Sequence, residues 1–461
     1  MTIDELRSTL LLEKKNGFAS LTGDQRQEME AYARRYSAFI SACKTEREAV
    51  RWTAAAAEAQ GFRPAVPGME LKPGDKVYLD NRGKSILLAV MGTEPMENGV
   101  NICGAHIDSP RMDLKPNPLY EDNEIGYFKT HYYGGIKKYQ WACVPLALHG
   151  IVCRKDGTTV EIVIGEKETD PVLVISDLLI HLSADQLQKP LAKGIEAEQL
   201  NVIIGSEPLT GEGSDLVKLN IMKLLNAQYG ITEADFHSAE LTIVPAGVCR
   251  EVGLDRSLLG AYGHDDRVCA YAQIEAILSL ENPVKTAVCV LADKEEIGSV
   301  GLSSMESLAF EYFMDILCAS QKADMIRCFT NSFCLSADVS IAYDPNFPEV
   351  FDPRNSARLN QGIGVCKYTG TRGKSFASDA SAEVMHRIRT ILNEAGVLWQ
   401  MSTLGKVDQG GGGTIAYVMA NRNIPTVDAG VPVLSMHAPF EVVSKLDSYM
   451  ALLACKAVFN S

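Results

Sequence analysis

The stretch Val100–Asp113, VNICGAHIDSPRMD, decides the fold. A short, largely apolar run, Val100–Ala105, breaks off at His106 and Asp108. Four further runs have the same character: Ala287–Ala292, Phe333–Ala337, Val397–Met401 and Pro425–Ala429. Helical periodicity covers residues 265–280, 303–322, 379–395, 413–422 and 444–459. Short apolar runs separated by helices of this length read as βαβ units. They predict an α/β fold with a mostly parallel, buried sheet flanked by helices.

Outward from that core, the first sixty residues read as helical. Thr22-x-x-Gln25 and Thr45-x-x-Glu48 have capping-box spacing, and Gly61 followed by Pro64 closes the second of those helices. KVYLD, the turn Asn81–Gly83 and SILLAVMG form a β-hairpin. Residues 112–253 break the alternating rhythm with β-branched, hairpin-like strands such as ALHGIVCRKDGTTVEIVIG, where Asp156-Gly157 makes the turn. The division expected is a discontinuous α/β domain, 1–111 and 254–461, interrupted by a β-rich insertion, 112–253.

Composition excludes several classes. The chain has 461 residues, 46% of them hydrophobic, enough for a large core. Its net charge of -14 repels phosphate backbones, so nucleic acid is not the expected partner. Neither a signal-peptide pattern nor an apolar run approaching the roughly 18 residues of a membrane span is visible. The 12 cysteines form no C-x-x-C pair, and several, among them Cys103, Cys153 and Cys289, lie in apolar stretches. They read as core residues of a reducing compartment. A cytoplasmic protein is expected.

With only eight histidines, their company is informative. His106 and His437 each follow an apolar run, and between them lie Asp265-Asp266, Glu295-Glu296 and Asp338. Carboxyl ends of strands in open parallel sheets converge on one crevice. Carboxylates gathered there repel one another unless cations neutralise them. Two imidazoles with carboxylate oxygens suit a pair of divalent ions, with zinc preferred and manganese or cobalt compatible.

GAHIDSPR, the helix-opening Asp265-Asp266, DKEEIGS, SADVS and SMHAPFE together resemble the signature of the aspartyl aminopeptidase family of dinuclear zinc metallo-aminopeptidases, related to the vacuolar aminopeptidases. The resemblance runs from about residue 75 to the C-terminus and implies a zinc-exopeptidase-like fold. It implies that the insertion is a dimerisation and lid domain, and that Asp265 bridges two metals. His106 and Asp338 would complete one ion, Glu296 and His437 the other. Glu295 would be the general base and Asp108 the carboxylate that orients His106, with a cis peptide between Asp265 and Asp266. A glutamate that is not itself a ligand can take a proton from water activated by two metals and pass it to the leaving amine. An ion that holds the free α-amino group would make the enzyme an exopeptidase.

The resemblance also implies peptide substrates, a preference for acidic N-terminal residues, and homododecamers built from dimers. YTGTRGKSFASDASAE resembles the family's pocket loop and offers Arg372 and Lys374, although the family's lysine position falls on Gly373. Gly411, within Gly410–Gly413 before Thr414, is a further substrate-contact candidate on a run read as opening a helix. ISDLLIHL resembles a loop that reaches a neighbouring subunit's site; Asp177 replaces a histidine of some relatives, and His181 matches the second. Lys137, Lys138 and Trp141 are candidates for the substrate chamber or an oligomer surface. The alternatives are another co-catalytic metallohydrolase, such as an N-acyl-amino-acid deacylase, and a non-catalytic self-assembling scaffold of the same fold.

Overall fold

The computed structural model describes residues 1–12 and 15–461. Its main sheet has nine strands in the order Arg63–Pro64, Lys76–Asn81, Ser85–Val90, Ala287–Ala292, Asn101–His106, Phe333–Ser336, Thr426–Gly430, Ile363–Cys366 and Trp399–Ser402. The four central strands, from Ala287–Ala292 to Thr426–Gly430, are parallel neighbours. The hairpin Lys76–Asn81/Ser85–Val90 adds an antiparallel edge. Every residue of Asn101–His106 and of Ala287–Ala292 is buried, which is why these strands read as continuous rather than alternating apolar runs.

Alternation appears instead in which helical layer each side chain meets. Ile86, Leu88, Cys103 and Ala105 join one core with helices Gly23–Ala42, Glu46–Ala59, His264–Leu278, Ala382–Glu394 and Lys445–Phe459. Leu87, Ala89 and Ile102 join a second with Ala309–Gln321, Met325–Asn331 and Ala416–Asn421. The two expected capping boxes form at Thr22/Gln25 and Thr45/Glu48.

Two helix starts differ from expectation. The helix read over 303–322 begins at Ala309, because Ser304 and Ser307 hydroxyls donate to the carbonyls of Gly301 and Ser304 and hold turns there. The glycine run does not open a helix: Gly411–Gly412 pairs with Gly370–Thr371 as a short antiparallel ribbon, and helix begins at Ala416. A Cβ on Gly411, which has φ +115°, would stand 2.3 Å from the Gly370 carbonyl oxygen. Strand Ile363–Cys366 escapes the sequence reading because glycine stands before it at 362 and interrupts its apolar residues at 364.

A separate six-stranded sheet, antiparallel throughout, lies mostly within residues 112–253. Its order is Thr159–Ile164, Leu146–Cys153, Ala239–Pro245, Arg111–Asp122, Ile125–Tyr133 and Val202–Gly205. It has its own core, including Met112, Phe128, Trp141, Leu148 and Ile243. Cys153 is exposed, contrary to the reading of it as a core residue: strand alternation buries Val152 and turns its neighbour to solvent. Trp141 packs edge-on against Tyr262 in this core and so lines no chamber, whereas Lys137 is exposed. No helix among the described residues is long and apolar enough to cross a membrane.

Candidate metal centre

Each candidate side chain leaves the carboxyl end of a strand or the turn beyond it. His106 is the last residue of Asn101–His106, Glu295 and Glu296 form a short turn after Ala287–Ala292, and Asp338 follows Phe333–Ser336. Lys294, at φ +67°, bends the chain so that the two glutamates present their carboxylates inward. Asp265-Asp266 open helix His264–Leu278, and the peptide between them is cis. His437 sits in the turn between Pro432–Leu434 and Glu441–Ser444.

Asp265 stands between the two imidazoles. Its Oδ1 is 3.2 Å from His106 Nε2, and its Oδ2 is 3.1 Å from His437 Nε2. Glu296 Oε1 lies 3.5 Å from His437 Nε2, Asp338 Oδ1 4.0 Å from His106 Nε2, and Glu295 Oε2 3.9 Å from the same nitrogen. Two donor sets, His106/Asp265/Glu296 and His106/Asp266/Asp338, each have their ligand atoms within 4.8 Å of one another. Asp266, one of the carboxylates expected at the crevice, has no individual role assigned from the sequence. Its Oδ2 accepts the backbone N–H of His106 at 3.3 Å, an interaction that only the folded chain reveals.

The residues fit the binding of a metal cation. Asp265 Oδ1, Asp266 Oδ1 and Glu296 Oε1 are buried and find no hydrogen-bond donor among the described residues, the condition a cation relieves. Electrostatics show the same crowding. Burial, reinforced by neighbouring carboxylates, pushes Glu296, Asp338 and Asp266 well above the usual carboxylate range, and Glu295 to about 7. Burial also opposes charge on Asp265, but the His106 and His437 imidazoles beside its two oxygens outweigh it and hold that carboxyl far below its ordinary value. Burial disfavours the charged His437 ring, yet the Asp265 carboxylate beside its Nε2 and the nearby acids raise it to about 10. A site with more carboxylates than imidazoles is over-supplied with negative charge, which suits divalent ions.

Several supporting residues have no role assigned from the sequence, although Glu441 closes the SMHAPFE motif. Glu441 accepts the backbone N–H groups of Asp265 at 3.0 Å and His437 at 2.6 Å. Tyr133 donates its hydroxyl to Asp108 Oδ2 at 2.8 Å, and the Gly135 carbonyl accepts from His437 Nδ1 at 2.7 Å. For Tyr133 and Gly135 the advance signal was nearness in sequence to a strand end.

Arg372, Lys374 and Gly411 come together around a different cleft, which Tyr368, Asn355 and Lys406 also line and none of the metal candidates does. Lys374 is tied to Asp379 at 2.8 Å and lies over the Tyr368 ring. Asp177 and His181 are exposed, amid Leu178, Leu179, Ile180 and Leu182, which are 46–68% exposed.

Residues 39–459 match the family described as Aminopeptidase I zinc metalloprotease (M18). The chain is 50% identical to a probable M18 family aminopeptidase 1 of Clostridium acetobutylicum, over 98% of this chain and 99% of that protein. The crystal structure of an M18 aminopeptidase from Thermotoga maritima superposes with a TM-score of 0.93 at 43% identity, covering 97% of this chain and 99% of that one. The S. cerevisiae mApe1 dodecamer shares the fold, with a TM-score of 0.76 at 21% identity over 94% of this chain and 97% of that one. Fold, donor set and family together define a zinc metalloprotease. More narrowly, the chain belongs to the M18 family of aminopeptidases.

Proposed function

We propose that this aminopeptidase removes single N-terminal residues from short peptides with a dinuclear centre, held by His106 and Asp338 on one side, Glu296 and His437 on the other, and Asp265 between them. The observation that carries this reading is Asp265, whose two carboxylate oxygens face different imidazoles at 3.2 and 3.1 Å. Two divalent ions, zinc by preference and cobalt or manganese by the same donor chemistry, supply Lewis acidity to water and to the scissile carbonyl. Glu295, beside the cluster and 18% exposed, is the base: its Oε2 accepts the water's proton and returns it to the leaving amine. Asp108 orients the His106 ring through Nδ1, with its backbone carbonyl at 3.0 Å and Oδ1 at 3.3 Å.

Acidic N-terminal side chains are the preferred substrates in this reading, with Arg372 and Lys374 as the attracting cations and Gly411 at the cleft wall. Self-association into homododecamers built from dimers follows the family's habit; the exposed leucines around Ile180 supply apolar surface for it. The site of action is the cytoplasm. The test is release from aminoacyl substrates bearing Asp, Glu, Lys, Leu or Ala, before and after chelation and after zinc, cobalt or manganese is restored. Release unaffected by chelation overturns the metal reading, and an order led by Leu or Lys overturns the acidic preference.

A further inference from the structure

Both imidazoles direct Nε2 at Asp265, so their orientation depends on what each Nδ1 meets. For His106 the acceptors belong to Asp108; for His437 the acceptor is the carbonyl of Gly135, which belongs to the inserted segment. Asp108 is itself fixed from several directions. It is fully buried, its Oδ1 accepts the amide of Glu295 at 3.2 Å, and its Oδ2 accepts the amide of Glu296 at 3.2 Å and the Tyr133 hydroxyl at 2.8 Å. Tyr133 and Gly135 lie on either side of one glycine at the end of strand Ile125–Tyr133.

The intervening residue shows how close this turn comes to the site. Gly134 has φ +73°, and a Cβ there would lie 3.2 Å from Glu296 Oε2 and 3.3 Å from Glu296 Cβ. Tyr133 in turn is held under the Arg111 guanidinium at 4.1 Å, which donates to Glu46 at 3.0 Å and to Asp113 at 2.8 Å. Its hydroxyl is therefore aimed by contacts from the N-terminal helices and from the inserted sheet.

We propose that the turn Tyr133–Gly135 is a positioning element of the metal centre. Tyr133 acts through Asp108 on His106, Gly135 acts through its carbonyl on His437, and docking of the inserted sheet thereby sets metal affinity. This rests on the dinuclear reading above. Groups that orient a metal-binding histidine through its distal nitrogen typically change affinity by about 10–100-fold.

The experiment is a calorimetric titration of chelator-stripped, full-length protein with cobalt(II), for wild type, Tyr133→Phe, Gly134→Ala, Asp108→Asn and the Tyr133→Phe/Asp108→Asn double variant. Wild type is expected to take up two equivalents; failure of that stoichiometry overturns the dinuclear reading itself. Given two equivalents, Tyr133→Phe is expected to weaken one dissociation constant about tenfold, and kcat is expected to fall without a rise in KM. The double variant is expected to match Asp108→Asn alone, because Tyr133 acts through that carboxylate. Gly134→Ala is expected to weaken cobalt binding by pressing on Glu296. Wild-type affinity in Tyr133→Phe, or losses that simply add in the double variant, would overturn the proposal.

Discussion

Glu295 and Glu296 are adjacent in the chain yet face different histidines: Glu295 Oε2 lies 3.9 Å from His106 Nε2, and Glu296 Oε1 lies 3.5 Å from His437 Nε2. Both amides are anchored on the same carboxylate, that of Asp108. Their amide variants should separate two roles. Glu295→Gln removes a proton acceptor and is expected to lower kcat by about 10²–10⁴-fold, with metal content unchanged. Glu296→Gln, at a side chain 5% exposed among the donors, is expected to lower bound metal as well. Metal analysis of both purified variants decides; retained turnover in Glu295→Gln removes it as the base.

Asp265 lies between the two imidazoles, and on the dinuclear reading proposed above its substitution is the most damaging. An asparagine keeps the volume but removes the charge between His106 and His437. Asp265→Asn is expected to lose both bound ions, whereas Asp338→Asn is expected to lose one. Elemental analysis after dialysis against zinc reads the difference directly. Equal stoichiometry in the two variants would mean that Asp265 does not span two ions.

Chelation should also reach the fold. The carboxylates of Asp265, Asp266, Glu296 and Asp338 are gathered in the interior with unsatisfied oxygens among them. Removing the cations leaves their repulsion to be relieved by proton uptake or local opening. A ligand at a thousandfold excess over its dissociation constant stabilises the folded state by about 4 kcal/mol. The thermal midpoint of the chelated protein is expected to fall by several degrees and to return with zinc. An unchanged midpoint would show that the buried acids need no cation.

Much of this was legible because the chemistry sits where strands end. The runs before His106, Glu295 and Asp338 are buried on both faces, so each motif announces itself as polarity after an apolar stretch. Tyr133 and Gly135 were not legible, since their importance arises from contacts across 25 and 302 positions of chain with Asp108 and His437, and Glu441, though inside SMHAPFE, reaches Asp265 across 176 positions. Gly410–Gly413 misled for a related reason: glycines before a helix suggest an N-terminus, but here Gly411 is required by the closeness of the Gly370 backbone.

The two basic residues of the second cleft differ in what they have free to offer. Lys374 already binds Asp379 at 2.8 Å, whereas Arg372 is exposed on a residue with φ +48°. A cation committed to a neighbouring carboxylate has less to give a substrate. Arg372→Ala is expected to lower kcat/KM for Asp and Glu substrates about tenfold relative to Leu, and Lys374→Ala by less. If the ratio of acidic to Leu substrates is unchanged in both, this cleft does not select the N-terminal residue.

His149 joins the inserted sheet to the N-terminal helices and should give the protein a measurable alkaline weakness. Its Nδ1 is 2.8 Å from Glu48 Oε1 and its Nε2 is 2.9 Å from Glu166 Oε1, so both ring nitrogens meet acceptors and the ring must be doubly protonated to satisfy them. Lys44 approaches the same Glu166 at 3.7 Å, and Thr242 and Val163 flank the histidine on adjacent strands. Burial opposes the ring's charge, but the hydrogen bonds to Glu166 and Glu48 outweigh it and raise the pKa from 6.5 to about 9. Because the folded value lies above the unfolded one, the contribution is complete below pH 6.5 and disappears as pH rises through about 9. For so buried a group this amounts to roughly 3 kcal/mol at most. The stability difference between wild type and His149→Gln, measured by urea unfolding at fixed metal concentration, is therefore expected to be largest near pH 6 and to shrink toward pH 10. Taking the difference cancels the titration of the metal cluster, which both proteins share. A difference that stays constant across that range would mean that His149 is neutral in the folded protein.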